Sequence, residues 1–316
     1  MSQPPNSPSD PAPVGSQDNP QALALPTPLI SAQALHAALQ ARANDPSAIR
    51  VVDARWYLLE PLDPATEYRK AHLPGAVRAD MEQDLAQKPG PGRHPLPSAE
   101  RFVAAMRRLG ISRHTFVVVY DDKGGTVAGR LWWLLRAFGH REVALLDGGL
   151  QAWVAAGFEL SVDVPTPAPG NFEGHLDASC LVVRAEVEAL VASGALKTGG
   201  PAAPLLIDSR AGERYRGEME PVDPRAGHIP GAVNVPILSH LTGGKLQPPA
   251  VLRQRFEQAG VTGERQVIFY CGSGVNACLN LLAMELAGFS GGRIYAGSWS
   301  DWCAIEGLPL AVGAEP

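Results

Sequence analysis

The sequence predicts an α/β fold built twice, each copy a parallel sheet with helices on both faces. The first observation behind this is an internal repeat. VVDARW (Val51 to Trp56) answers to LLIDSR (Leu205 to Arg210), and AHLPGAV (Ala71 to Val77) to GHIPGAV (Gly227 to Val233). VVVYDDKGG (Val117 to Gly125) answers to VIFYCGSGV (Val267 to Val275), and LLDGGLQAW (Leu145 to Trp153) to IYAGSWSDW (Ile294 to Trp302). Order and approximate spacing are preserved, as expected of one folding unit used twice. The second observation is the run type: FVVVY (Phe116 to Tyr120) and QVIFY (Gln266 to Tyr270) have the length and β-branched or aromatic content of buried strands. The third is that each such run leads into a small polar loop and then a helical run, RLWWLLRAFG in one half and ACLNLLAMELAGF in the other. Strand, helix, strand in succession implies parallel pairing.

In chain order, residues 1–28 are rich in Pro, Ser, Asn and Gln and bury too little apolar surface to offset their ordering entropy, so they are expected as a disordered tail. The first copy is expected over 29–161. VDVPTPAPGNFEG (Val162 to Gly174) begins a proline-rich linker expected over 162–178. The second copy is expected over 179–316. At 316 residues the chain can form two domains with cores of their own.

With 45% apolar residues and a net charge of -5, the composition is that of a soluble globular protein, and neither nucleic acid nor a membrane surface is an expected partner. No apolar run reaches the length of a membrane span, and no basic, apolar leader is visible. Cys180, Cys271, Cys278 and Cys303 are too few and too scattered for a disulfide framework, so a reduced, cytoplasmic compartment is expected.

The chemistry centres on CGSGVNA (Cys271 to Ala277), between a buried strand and a helix. In a parallel sheet, ligands bind at the carboxyl ends of the strands, which is where Cys271 falls. Gly272 and Gly274 allow positive φ and close approach of a ligand. Successive N–H groups backed by a helix N-terminus form a concavity for negative charge, suited to a thiolate or a persulfide anion. Cys271 is therefore the expected nucleophile, against the commoner fate of free Cys as an inert core residue. Asp121 stands at the matching place in the first half. A carboxylate cannot carry sulfur, and the DDKGG loop is expected to lack the anion-holding geometry of its partner.

The CGSGV loop, the paired H-[LI]-P-G-A turns, DGGLQAW and GSWSDW together resemble the tandem rhodanese sulfurtransferases, over about Leu29 to Leu310. Thiosulfate-type loops of that family carry Arg-Lys after the cysteine, whereas 3-mercaptopyruvate-type loops read CGSGVTA. This chain sides with the latter, with Asn276 in place of Thr. The resemblance implies two tandem rhodanese-like domains and a Cys271 persulfide, with no metal or cofactor. It implies transfer of sulfur from 3-mercaptopyruvate to a thiol such as thioredoxin or glutathione, or to cyanide, with thiosulfate as the alternative donor.

The resemblance also implies two substrate arginines in the second domain, matched here by Arg214 and Arg225, alongside the loop residues Gly272, Gly274, Val275 and Asn276. Arginine suits the task because its planar fork pairs with two oxygens. Across the domain interface it implies a Ser273–His94–Glu82 proton relay, with Asp80 and Asp84 beside Glu82. Without the resemblance, each arginine reads as a solvated surface charge and His94 as a loop residue.

Other candidates are structural. His72 and His228 occur in both halves, including the one that cannot react, and so are expected as turn residues. Asp53 and Asp208 are expected to fix loops, and Trp299 and Trp302 to pack. Cys278, about two helical turns from Cys271, is a resolving thiol or, more in keeping with its setting, a buried helix residue. Phosphatases of related fold have a longer loop ending in Arg, whereas this loop runs into Ala277 and Cys278, which argues against that activity. A non-catalytic binding module is argued against by Cys271.

Overall fold

The computed structural model describes residues 25, 27–198, 200 and 203–316. Most of the segment expected as a tail, residues 1–24 and 26, lies outside the described residues. The first half runs β1 (Leu29–Ile30), α1 (Ala32–Ala41), β2 (Ile49–Asp53), α2 (Pro64–Lys70), β3 (Val77–Arg78) and α3 (Ala99–Arg108). It ends with β4 (Phe116–Tyr120), α4 (Ala128–Ala137), β5 (Val143–Leu146) and α5 (Gly149–Ala155). The second half starts with β6 (Leu181–Val182), α6 (Arg184–Ala192), α7 (Ala195–Thr198), β7 (Leu205–Asp208), α8 (Gly212–Tyr215) and β8 (Val233–Asn234). A small hairpin, β9 (Leu241–Thr242) and β10 (Lys245–Leu246), has no described counterpart in the first half. Then come α9 (Pro249–Gln258), β11 (Val267–Tyr270), α10 (Asn276–Leu286), β12 (Gly292–Tyr295) and α11 (Ser298–Trp302).

The local reasons are legible. Every residue of β4 and of β11 is buried, which is why both runs are apolar throughout rather than alternating. Ser31 and Ser98 cap α1 and α3 with their hydroxyls, and Asp63 caps α2 ahead of Pro64.

The two five-stranded sheets are parallel and share one topology, β1-β5-β4-β2-β3 and β6-β12-β11-β7-β8. In each, the chain leaves the middle pair of strands in opposite directions, so the crevice between β11 and β7 is the switch point where such sheets bind ligands.

Asp53 and Asp208 each fork onto an arginine two residues on, Arg55 and Arg210, with closest contacts of 2.6 Å in both halves. His72 and His228 stack on Tyr68 and Tyr215 and place both ring nitrogens against backbone carbonyls.

The halves meet along α4 and α10. A side chain on Gly129 would come within 3.0 Å of the Leu279 backbone nitrogen, so the glycine sets how closely the helices approach. An Arg136–Glu285 ion pair ties the same two helices, and one apolar core runs across both halves, from Leu131 and Trp132 to Leu279 and Leu282. The proline-rich stretch between the halves is extended but docked on the first. Gly170 and Phe172 donate backbone hydrogen bonds to Arg107 and Ile111, and the Phe172 ring is buried.

Candidate active site

Cys271 comes directly after β11, at the switch point, and is buried. Gly274 turns the loop with φ +73°, and a Cβ there would lie 2.4 Å from the Ala296 carbonyl oxygen, so no other residue fits. Val275 is buried and Asn276 opens α10. The matching loop of the first half shows what a loop at this place in the repeat can hold, although the two backbones part where Gly125 has φ +90° and its counterpart Val275 has φ -93°. The fully buried Asp121 carboxylate accepts backbone hydrogen bonds from Lys123, Gly125, Val127 and Ala128, each 2.8 Å long. Burial pushes its pKa up and the four N–H groups pull it back. The expectation that DDKGG lacks the anion-holding geometry is therefore corrected: the loop has it and fills it with its own carboxylate. At the same step of the repeat in the second half stands Cys271, and the residues that correspond by sequence are Ser273, Val275, Ala277 and Cys278, of which the Cys278 N–H donates to the Val275 carbonyl in the first turn of α10.

The first turn of α11 closes over Cys271. Trp299 and Ser300 donate backbone hydrogen bonds to the carbonyls of Cys271 and Gly272, and Ser298 Oγ accepts from the Cys271 N–H at 3.2 Å. Ser298 adopts φ +56°, a left-handed conformation costly for a residue with a side chain. Its repeat partner is Gly149, also at positive φ. Sequence reasoning missed Ser298, although a non-glycine where the repeat has glycine is a signal that could have found it.

Ser273 Oγ and His94 Nδ1 lie 2.9 Å apart across the domain interface. His94 is buried against the edge of Trp56, and burial, with Arg130 and Arg93 adding to it, pushes its pKa down to about 3. The imidazole is therefore neutral at ordinary pH. Glu82 does not complete the expected relay. It is exposed, and its hydrogen bonds are made by its backbone, the N–H to Asp80 and the carbonyl from Arg101. Asp80 pairs with Arg78, and Asp84 accepts from the Asp80 N–H and pairs with Arg108, so the neighbouring carboxylates fix this loop instead.

The arginines divide. Arg214 lies beside the loop: a Cβ on Gly272 would be 3.5 Å from its Nη1, while its other nitrogens hold Glu220 and Asp223. Arg225 is turned away. Its guanidinium donates to the carbonyls of Cys303 and Ile305, each at 2.6 Å, so it serves the C-terminal end of α11 and the chain beyond. Trp299 and Trp302 are buried, with their indole N–H groups on the Arg225 and Pro309 carbonyls.

Two further arginines come from the first half. Arg130, fully buried on α4, donates to the Gly274 and His94 carbonyls at 2.9 and 3.1 Å and has no carboxylate partner among the described residues. Burial lowers its pKa, partly offset by the sulfurs of Cys278 and Cys271. Arg93 also reaches Gly272, where a Cβ would be 3.0 Å from its Nη2. Nothing in the sequence separated either from ordinary helix and loop arginines. Cys278 is fully buried with Sγ on the Gly274 carbonyl, and burial pushes its thiol up to about 12, the setting of a packed residue. A cleft of about 550 Å³ lined by Pro95, Leu96, Val182, Ala185 and Tyr295 contains none of these reactive groups.

The strand–loop–helix thus occurs twice on a duplicated α/β scaffold, with a carboxyl group after one central strand and a cysteine after the other. The rhodanese-like domain family matches residues 35–156 and 185–305. A probable 3-mercaptopyruvate sulfurtransferase of Pseudomonas aeruginosa is 44% identical over 90% of this chain and 99% of its own length. A thiosulfate sulfurtransferase of Gallus gallus is 36% identical over 89% of this chain and 95% of its own. The crystal structure of SseA from Escherichia coli, described as a 3-mercaptopyruvate sulfotransferase of rhodanese fold, superposes with a TM-score of 0.75 at 32% identity, covering 87% of this chain and 100% of that one. The chain belongs to the rhodanese family, as a sulfurtransferase with two tandem domains.

Proposed function

We propose that the protein takes the sulfur of 3-mercaptopyruvate onto Cys271, releases pyruvate, and passes the sulfur to a thiol such as thioredoxin or glutathione, or to cyanide. The Cys271 thiolate attacks the donor sulfur. The carbon–sulfur bond breaks with its electron pair going to carbon, where the adjacent ketone stabilises it as an enolate. Protonation of that carbon gives pyruvate and leaves a persulfide on Cys271. An acceptor thiolate then attacks the outer sulfur and restores the Cys271 thiolate. Ser273, hydrogen-bonded to neutral His94, relays the proton. Arg214 binds the donor, and Gly272, Gly274, Val275 and Asn276 shape the cradle for the sulfur anion.

The observation that carries this reading is Asp121: the repeat's own loop holds a buried carboxyl group through four N–H donors. What favours mercaptopyruvate over thiosulfate is the neutral Gly272-Ser273 pair, together with the relative at 44% identity. Four free cysteines suit a reduced, cytoplasmic setting. No described helix is long and apolar enough to cross a membrane.

The test is Cys271→Ser with both donors. Sulfur transfer is expected to vanish with the fold retained, and donor-treated wild type is expected to carry one extra sulfur on the Cys271 peptide. Sulfur found on Cys278 or Cys303 refutes the nucleophile. A wild type that prefers thiosulfate outright moves the protein to the alternative donor.

A further inference from the structure

We infer that Arg93, carried by the first domain, is a substrate-binding residue that grips the oxyanion of the sulfur donor together with Arg214; this rests on the sulfurtransferase reading above. A Cβ built on Gly272 would stand 3.0 Å from Arg93 Nη2 and 3.5 Å from Arg214 Nη1. Two guanidinium groups from different domains therefore converge on one point, beside the residue after the nucleophile. Like charges so close repel, and the protein holds them there with carboxylates on their other edges. Asp223 bridges the pair, with Oδ1 2.6 Å from Arg93 Nη1 and Oδ2 3.1 Å from Arg214 Nη2, and Glu220 sits 2.6 Å from Arg214 Nη2.

The edges turned toward Gly272 are different. Neither Arg93 Nη2 nor Arg214 Nη1 hydrogen-bonds to an acceptor among the described residues, and Arg93 Nε is buried without a partner. With side chains 18% and 16% exposed, both remain within reach of a small molecule. N–H groups without acceptors, aimed at a common point, suit the two oxygens of a carboxylate or of a thiosulfate group.

The segment that delivers Arg93 is fixed to the second domain. The Arg93 N–H donates to Ser300 Oγ at 2.9 Å, and His94 next to it holds Ser273. Gly92, at φ +77°, lies so close to the Gly297 carbonyl that a Cβ there would come within 2.5 Å. Arg93 thus supplies the second cation that Arg225 does not. It also accounts for glycine at 272, since a larger residue would displace the guanidinium.

The experiment compares wild type, Arg93→Ala and Arg93→Lys in steady-state assays with each donor and cyanide as acceptor. Protection of Cys271 from alkylation by pyruvate or by sulfite gives a readout that needs no turnover. Arg93→Ala is expected to raise KM for the donor that the wild type uses at least tenfold, with kcat less affected, and to raise the concentration of the matching anion needed for half-protection by a similar factor. Arg93→Lys is expected to fall between, and it keeps the test valid if the alanine variant fails to fold. KM and half-protection within twofold of wild type in both variants overturn the inference. So does a loss confined to kcat and thermal midpoint, which marks a residue that merely joins the domains. If the wild type ignores mercaptopyruvate, the donor assignment fails separately, and Arg93 is judged on thiosulfate and sulfite.

Discussion

His94 shows how burial decides what a side chain can do. Its folded pKa is about 3, below the ordinary 6.5, because the surroundings penalise the charged ring. The unfolded chain therefore binds a proton in this window that the folded chain does not, and stability falls as pH drops from about 6.5 toward 3. His240, pushed down to about 4 by burial, acts in the same direction over an overlapping range. His94→Gln is expected to shrink, without abolishing, the fall in thermal midpoint between neutral and mildly acidic pH. An unchanged fall would remove His94 from the account. Arg225 carries the same lesson from the other side: its motif suggests a substrate ligand, yet four nearby carbonyls at the end of α11 claim its donors.

At the scale of an element, the strand–loop–helix is used twice, with a carboxyl group in one loop and a cysteine in the other. In the first half, four backbone N–H groups, three of them buried, donate to Asp121. Asp121→Ala strips all four of their acceptor, and leaving buried donors unsatisfied costs about 1–3 kcal/mol per group before relaxation and water entry reduce it. A net loss of about 2–4 kcal/mol is expected in chemical denaturation. Stability within about 0.5 kcal/mol of wild type, the spread of neutral surface changes, would show that the cradle does not need an anion. The prolines of the linker suit a semi-extended segment, and Phe172 in it is buried in the core of the first half, a contact that local composition does not encode.

At the scale of the molecule, the proposed active site is assembled where the halves dock. Cys271 and Ser273 come from one, His94, Arg93 and Arg130 from the other, and α4 against α10 sets their separation. Gly129→Val is expected to push these helices apart, because the obstacle is the Leu279 backbone rather than a flexible side-chain tip. Overpacking of this kind costs about 1–3 kcal/mol in stability. Sulfur transfer is expected to fall about tenfold or more, since misplacing reacting groups by an ångström is enough for such a loss. Full activity in a destabilised Gly129→Val would show that the site tolerates a looser interface.

The duplicated α/β fold, the strand that ends at Cys271 and the asymmetry of the two loops were all present in the sequence. They depend on local pattern, on buried runs, turn glycines and a repeated order, and each of these is written in consecutive residues. Which charges reach the sulfur was not. Glu82, Arg225, Arg93 and Arg130 are long side chains on loops and helix faces, and a few ångströms of reach decide whether such a group meets substrate, a carbonyl or solvent. For Arg93 and Arg130 those ångströms are set by how the two halves pack, through contacts 130 and 144 positions apart, and for Arg225 by carbonyls 78 and 80 positions away in its own half. Only the tertiary structure decided that Arg225 caps the end of α11 while Arg93 stands beside Gly272 of the loop.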